Sequence, residues 1–219
     1  MLVQIYEVQT PEEAVALVRV GVDHIGVLVG DGTFPRELSI AQTNAIFAAV
    51  PAGKKRVALS LSKDVEEVAR VARDTRPDII QVQADIADFS VAMTRALKTR
   101  FPQIPIIRAI PVIDEASIEV AASYRGAADF LLLDSYDLET QQFGALGRTH
   151  DWSISRRIVD EVGIPVILAG GLGPENVASA IAAVRPAGVD SKTKTDRLDG
   201  GGKDLAKVRA FVGAARLTR

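Results

Sequence analysis

Pro165-Val166-Ile167-Leu168-Ala169-Gly170-Gly171-Leu172-Gly173-Pro174-Glu175-Asn176 sets out the plan of the chain in one short passage. An apolar, β-branched run predicts a strand over 165–169, and two glycines stop it. Pro174 suits the first position of a helix, and the pattern carries that helix to Val184. The glycines let the backbone come close to a ligand, and free N–H groups at a helix start favour an anion. An ordinary turn would use the same glycines.

The strand–turn–helix unit recurs on both sides of this passage. Strands are predicted over 2–8, 22–29, 56–61, 78–83, 104–110 and 129–134 before it, and over 188–191 after it. Thr10-Pro11-Glu12-Glu13 opens the first helix, with Thr10 as N-cap and the acidic pair at the positive end of the helix dipole. Ser39 caps a second helix through Val50, with Ala41, Ala45, Ala48 and Ala49 at helical spacing. Further helices are expected from near Ser62 and Glu66 to Asp74, over 86–100 and 114–124, from Asp151, and over 203–215. A long polar loop through Gly144-Ala145-Leu146-Gly147 separates the sixth strand from its helix.

Eight such units in 219 residues is the count that a closed parallel barrel requires. An open doubly wound sheet usually holds fewer units and leaves edge strands. The expected fold is therefore α/β, a parallel eight-stranded (β/α)8 TIM barrel filling 1–219 as one domain, with 196–202 a surface loop.

Composition narrows the function classes. Hydrophobic residues at 47% and charged residues at 25% supply an ordinary core without help from metals or disulfides. The absence of cysteine excludes thiol nucleophiles and thiolate ligands, and fits a reducing, cytoplasmic compartment. A net charge of −2 argues against nucleic-acid binding. No apolar run reaches the ~18 residues of a membrane span, and the start, Met1-Leu2-Val3-Gln4-Ile5-Tyr6-Glu7, turns acidic too soon for a signal peptide. Two scattered histidines leave a transition metal without ligands, so neither a metal nor another cofactor is expected. Asp134, Asp137 and Glu139 have the oxygen ligands that a hard cation takes, but carry only a weak signal for one. The outer helices are compatible with a monomer or a homodimer.

In such barrels the working groups lie at the C-terminal ends of the strands. That rule selects Tyr6, Glu7, Arg36, Gln81, Gln83, Arg108, Asp134, Gly170, Gly171 and Asp190. Because phosphate sites concentrate after strands seven and eight, the Gly170-Gly171 turn predicts a phosphorylated small-molecule partner.

Several segments carry a family resemblance: Gln4-Ile5-Tyr6-Glu7-Val8-Gln9-Thr10, Phe34-Pro35-Arg36-Glu37-Leu38-Ser39, Ile80-Gln81-Val82-Gln83 and Leu133-Asp134-Ser135. Gly144-Ala145-Leu146-Gly147-Arg148-Thr149-His150-Asp151-Trp152, the passage around Gly170, Gly188-Val189-Asp190 and Gly202-Lys203-Asp204 complete the set. In order, spacing and strand register the chain resembles phosphoribosylanthranilate isomerase, a barrel family of tryptophan biosynthesis.

The resemblance implies an Amadori rearrangement of an aminoaldose phosphate to an aminoketose phosphate. An acid protonates the sugar ring oxygen and a base removes the C2 proton. Asp134 matches the family's acid, and the apolar strand Phe130–Leu133, which delivers it to the mouth, favours that role over a carboxylate that caps the next loop. The family's base is a cysteine at the end of strand one, where this chain has Tyr6, followed by Glu7 in place of a glycine. A tyrosine of pKa about 10 is ionised in about one molecule per thousand at neutral pH, so Tyr6 either assists as base or fills space. Glu7 can substitute only if the strand has already ended, since successive strand residues face opposite sides.

Arg36 matches the contact to the anthranilate carboxylate, and its planar fork suits that group. Gln81, Gln83 and Asp190 are expected to line the substrate, Gln83 standing where the family usually has histidine. Gly170, Gly171 and Leu172 would bind phosphate together with Thr193 and Lys194, which align with a Ser-Gly pair. Lysine lacks glycine's backbone freedom but adds a favourable charge. His150 falls at an aromatic packing position and His24 reads as structural. Two other readings remain open: a relative binding another phosphorylated molecule for a different reaction, and a non-catalytic binding barrel.

Overall fold

The computed structural model describes residues 1–217. Eight parallel strands form the wall: β1 (Leu2–Ile5), β2 (His24–Leu28), β3 (Lys55–Ser60), β4 (Ile79–Val82), β5 (Ile106–Val112), β6 (Phe130–Asp137), β8 (Val166–Leu168) and β9 (Gly188–Ser191). Pairing runs β5-β4-β3-β2-β1-β9-β8-β6, and β5 with β6 closes the ring. The expected (β/α)8 barrel is the fold observed. Eight helices surround it: α1 (Pro11–Arg19), α2 (Ile40–Ala49), α3 (Val65–Thr75), α4 (Val91–Arg100), α5 (Ala116–Ser123), α6 (Trp152–Val162), α7 (Val177–Val184) and α8 (Leu205–Leu217).

Two apolar layers follow from strand alternation. Val57, Leu59, Ile107, Ala109, Leu132 and Ile167 fill the barrel interior. Residues of the opposite register, such as Val3, Ile25, Ala58, Ile80, Leu131 and Val189, pack outward under the helices. Gly26 faces the interior because a Cβ there would come within 2.6 Å of the Tyr6 ring. The missing side chain is the space that the tyrosine occupies.

Local signals set most helix starts. The Thr10 side chain accepts from the Glu13 amide, and Ser39 forms a reciprocal capping box with Gln42. Elsewhere the termini differ from expectation by a few residues, for identifiable reasons. Helix α3 begins at Val65, capped by Asp64, whose own amide donates to the Ser62 hydroxyl. Helix α4 begins at Val91 rather than at 86, since a turn over 85–89 precedes the Ser90 cap. Helix α7 begins at Val177 rather than Pro174, because the Asn176 side chain is spent on Gly171 O and the Gly173 amide.

The largest departure lies in the expected polar loop after the sixth strand. Strand β6 runs on to Asp137 and returns through a short antiparallel strand, β7 (Gln142–Phe143). This hairpin folds back over the C-terminal mouth, with the Gly144 amide donating to Ser135 O.

Candidate active site

Asp134 sits on β6 where it clears the apolar interior, and only 8% of its surface is exposed. Its Oδ1 accepts from the Ser135 amide at 2.8 Å, and its Oδ2 accepts from Gln83 Nε2 at 3.3 Å. Burial pushes the carboxyl up to about 6, against hydrogen bonds that favour its charge. That value suits an acid working near neutral pH.

A directional chain of side chains leads to it. The Tyr6 hydroxyl donates to Gln81 Oε1, Gln81 Nε2 to Gln83 Oε1 at 2.9 Å, and Gln83 Nε2 to Asp134. Gln4 Nε2 also reaches Gln81 Oε1, while Gln4 Oε1 pairs with His24 Nδ1 at 2.9 Å. Burial lowers His24 to about 4, so the ring is neutral at pH 7 and its Nδ1–H donates to the glutamine oxygen. Every step then donates toward Asp134, which fixes the orientation of all three glutamines.

Tyr6 and Glu7 both line the mouth, because β1 ends at Ile5 and Glu7 takes the left-handed backbone region at φ 57°. The site does not activate the phenol. Burial, and next the Asp190 charge, raise Tyr6 well above its ordinary value, so it is a protonated hydrogen-bond donor. Glu7 is held between cations, 3.1 Å from Arg36 Nε and 3.3 Å from Lys192 Nζ.

Arg36 reaches the mouth as expected, but its fork is already occupied by Glu7, by the Glu7 carbonyl at 3.0 Å and by Asp196 at 3.2 Å. Lys203, whose side chain is wholly buried, pairs with the same Asp196 at 2.6 Å and donates to Lys192 O. Lys192, Asp196 and the buried role of Lys203 were not read from the sequence. Their only signal was the density of charge within 190–204, which looks the same in a solvated loop.

Two neighbouring hollows occupy the mouth. The larger, of about 670 Å³, is lined by Tyr6, Glu7, Arg36, Gln81, Gln83 and Asp134 among others. The smaller, of about 30 Å³, lies between Gly170, Gly171, Leu172, Thr193 and Lys194. Asp134, Asp190 and Lys192 border both. Gly170 and Gly171 have positive φ, and a Cβ on Gly171 would lie 2.6 Å from the Arg148 backbone. The loop before α6 therefore rests directly on the glycine turn.

One expected position behaves otherwise. Arg108 points away from the mouth: it is fully buried, donates to the carbonyls of Val82, Phe89 and Ala109, and lies over the Tyr124 ring. His150 packs as expected, with Nε2 2.7 Å from Ser155 Oγ. Asp137 is turned outward onto Arg148, and its Oδ1 accepts from the Glu139 amide at 3.0 Å.

An eight-stranded barrel with a buried acid poised near neutrality beside a glycine-lined pocket has the architecture of an acid–base enzyme of small-molecule metabolism. The sequence profile of N-(5'-phosphoribosyl)anthranilate (PRA) isomerase matches residues 3–214. A protein named N-(5'-phosphoribosyl)anthranilate isomerase from Methanocella arvoryzae is 36% identical over 220 residues, covering 99% of each chain. The crystal structure of phosphoribosyl anthranilate isomerase from Thermotoga maritima superposes with a TM-score of 0.84 at 28% identity, over 99% of this chain and 98% of that one. A further isomerase structure, in complex with reduced 1-(o-carboxyphenylamino)-1-deoxyribulose 5-phosphate, gives a TM-score of 0.82 at 26% identity, with 99% and 98% coverage. The chain belongs to the N-(5'-phosphoribosyl)anthranilate isomerase family.

Proposed function

We infer that this protein is an isomerase of phosphoribosylanthranilate, catalysing its Amadori rearrangement in tryptophan biosynthesis, with Asp134 as general acid. The observation that carries the reading is the shared hollow: Asp134 and the Gly170-Gly171 turn border one cavity at the C-terminal mouth. A substrate phosphate held at the turn leaves its sugar ring beside the carboxyl and its aryl group in the larger hollow. The Asp134 proton goes to the ring oxygen, the C1–O bond opens, and the nitrogen lone pair forms an iminium.

Among the described residues no acceptor pairs with the amides of Gly171 and Leu172, which leaves those donors for phosphate. Thr193 and Lys194 border the same pocket, and Lys192 adds a nearby cation. Arg36 serves the anthranilate carboxylate by exchanging Glu7 or Asp196 for the ligand, a trade between charge-assisted partners. The biosynthetic role supports a cytoplasmic location.

Turnover of phosphoribosylanthranilate by the purified protein, or rescue of a tryptophan auxotroph lacking this step, tests the assignment. Asp134→Asn should abolish turnover while the reduced product analogue still binds. An inactive wild-type protein that binds the analogue would instead mark a barrel with another reaction.

A further inference from the structure

Asp190 is the second carboxylate of the mouth. It lies on β9 with its side chain directed inward, borders both hollows, and is 7% exposed. Its Oδ1 is buried with no hydrogen-bond partner among the described residues, an arrangement that costs stability unless a ligand or a reaction uses the atom. The groups around it are Asp134 and Glu7, which oppose its charge, Lys203 and the Gln4 amide, which favour it, and the Tyr6 phenol. The other candidates of the mouth differ from it: the Tyr6 hydroxyl donates to Gln81, and Glu7, whose Oε2 also lacks a hydrogen bond, is ion-paired with Arg36 and Lys192.

We propose that Asp190 is the base of the isomerisation and faces the same hollows as the acid, Asp134. The proposal rests on the isomerase reading and adds the residue that removes the C2 proton. Burial raises both carboxyls, and the charge of Asp134 raises Asp190 further, so double ionisation in the empty site is disfavoured. The proton belongs to the pair rather than to one member. Once Asp134 has protonated the ring oxygen, the substrate iminium supplies the positive charge that lets both carboxylates be ionised.

The remaining steps balance without any added reagent. Asp190 takes the C2 hydrogen as a proton, the C–H pair forms C1=C2, and the iminium π pair returns to nitrogen. The enol O–H proton then passes to Asp134 as the ketone forms, and the Asp190 proton is delivered to C1. The pair ends as it began, with one proton between its two members.

The test compares wild-type protein with Asp190→Asn, Asp190→Ala, Tyr6→Phe and Glu7→Gln, using phosphoribosylanthranilate as substrate. Asp190→Asn should lower kcat by about 10²–10⁴-fold, the usual contribution of a positioned base, while KM and analogue binding change by less than about tenfold. Formate, a small carboxylate, should restore part of the turnover of Asp190→Ala, a result that loss of structure cannot give. Should Asp190→Asn fail to fold, the formate experiment decides. Absent turnover in wild-type protein overturns both the isomerase reading and this one. Active wild-type protein with Asp190→Asn within about fivefold in kcat overturns only the base assignment. So does a kcat loss in Tyr6→Phe or Glu7→Gln that exceeds that of Asp190→Asn, or Asp190→Ala that formate leaves inactive.

Discussion

Asp134 shows how a single residue trades stability for chemistry. Its carboxyl moves from an ordinary 3.8 to about 6 on folding, so between those values the folded chain binds more protons than the unfolded one. Stability is therefore lost as pH rises through that window, by about 3 kcal/mol in order of magnitude. Asp134→Asn should raise the thermal midpoint at pH 7 to 8 while removing turnover, and the gain should vanish near pH 4. Scanning calorimetry across that range checks it, and an unchanged or lowered midpoint at pH 8 would contradict the buried-charge account. Asp134 itself was legible in the sequence, because an apolar strand delivers it to the end of a stave. The relay through Gln4, Gln81 and Gln83 was not, since its members come from different strands and meet only across the barrel.

At the scale of elements, the hairpin of β6 and β7 is the part that sequence reading passed over. Its two paired positions, Tyr136 with Phe143 and Asp137 with Gln142, are too few to show a period-two pattern. The hairpin ends in Gly144, at φ +74°, where a Cβ would stand 2.6 Å from Asp134 Oδ2 and 2.8 Å from Gln83 Nε2. Glycine here lets the backbone close over the acid. Gly144→Ala should lower kcat by about 10²-fold through displacement of the carboxyl, with circular dichroism unchanged. Near-wild-type turnover would mean that the hairpin stands clear of the acid. The Gly170-Gly171 turn was legible because its place after the seventh barrel strand could be counted. On the same reasoning Gly171→Ala, forced against the Arg148 backbone, should raise KM by tenfold or more, about 1.4 kcal/mol, with a smaller change in kcat.

For the molecule as a whole, closure is the governing feature. Strand β1 pairs along its length with β9, Leu2 with Gly188 through Ile5 with Ser191, so the first and last staves hold each other and no sheet edge remains in the ring. One core cluster runs from Val3 to Ala215. The chain is expected to unfold as one domain. Urea transitions followed by far-ultraviolet circular dichroism and by the fluorescence of Trp152 should coincide. Separated midpoints would divide the barrel into independent parts.

The amino-acid sequence alone determined the alternation of strands and helices, the count of eight units and the family. These follow from periodicity and from turn chemistry within a few neighbouring residues. Tertiary structure decided how the mouth is wired: that Tyr6 stays protonated as a donor, that Glu7 is bound to Arg36 and Lys192, that Lys203 is buried, and that Asp190 shares its surroundings with Asp134. Charge states and hydrogen bonds depend on burial and on partners brought together by barrel closure, often more than a hundred residues apart in the chain. No local pattern of residues encodes that proximity.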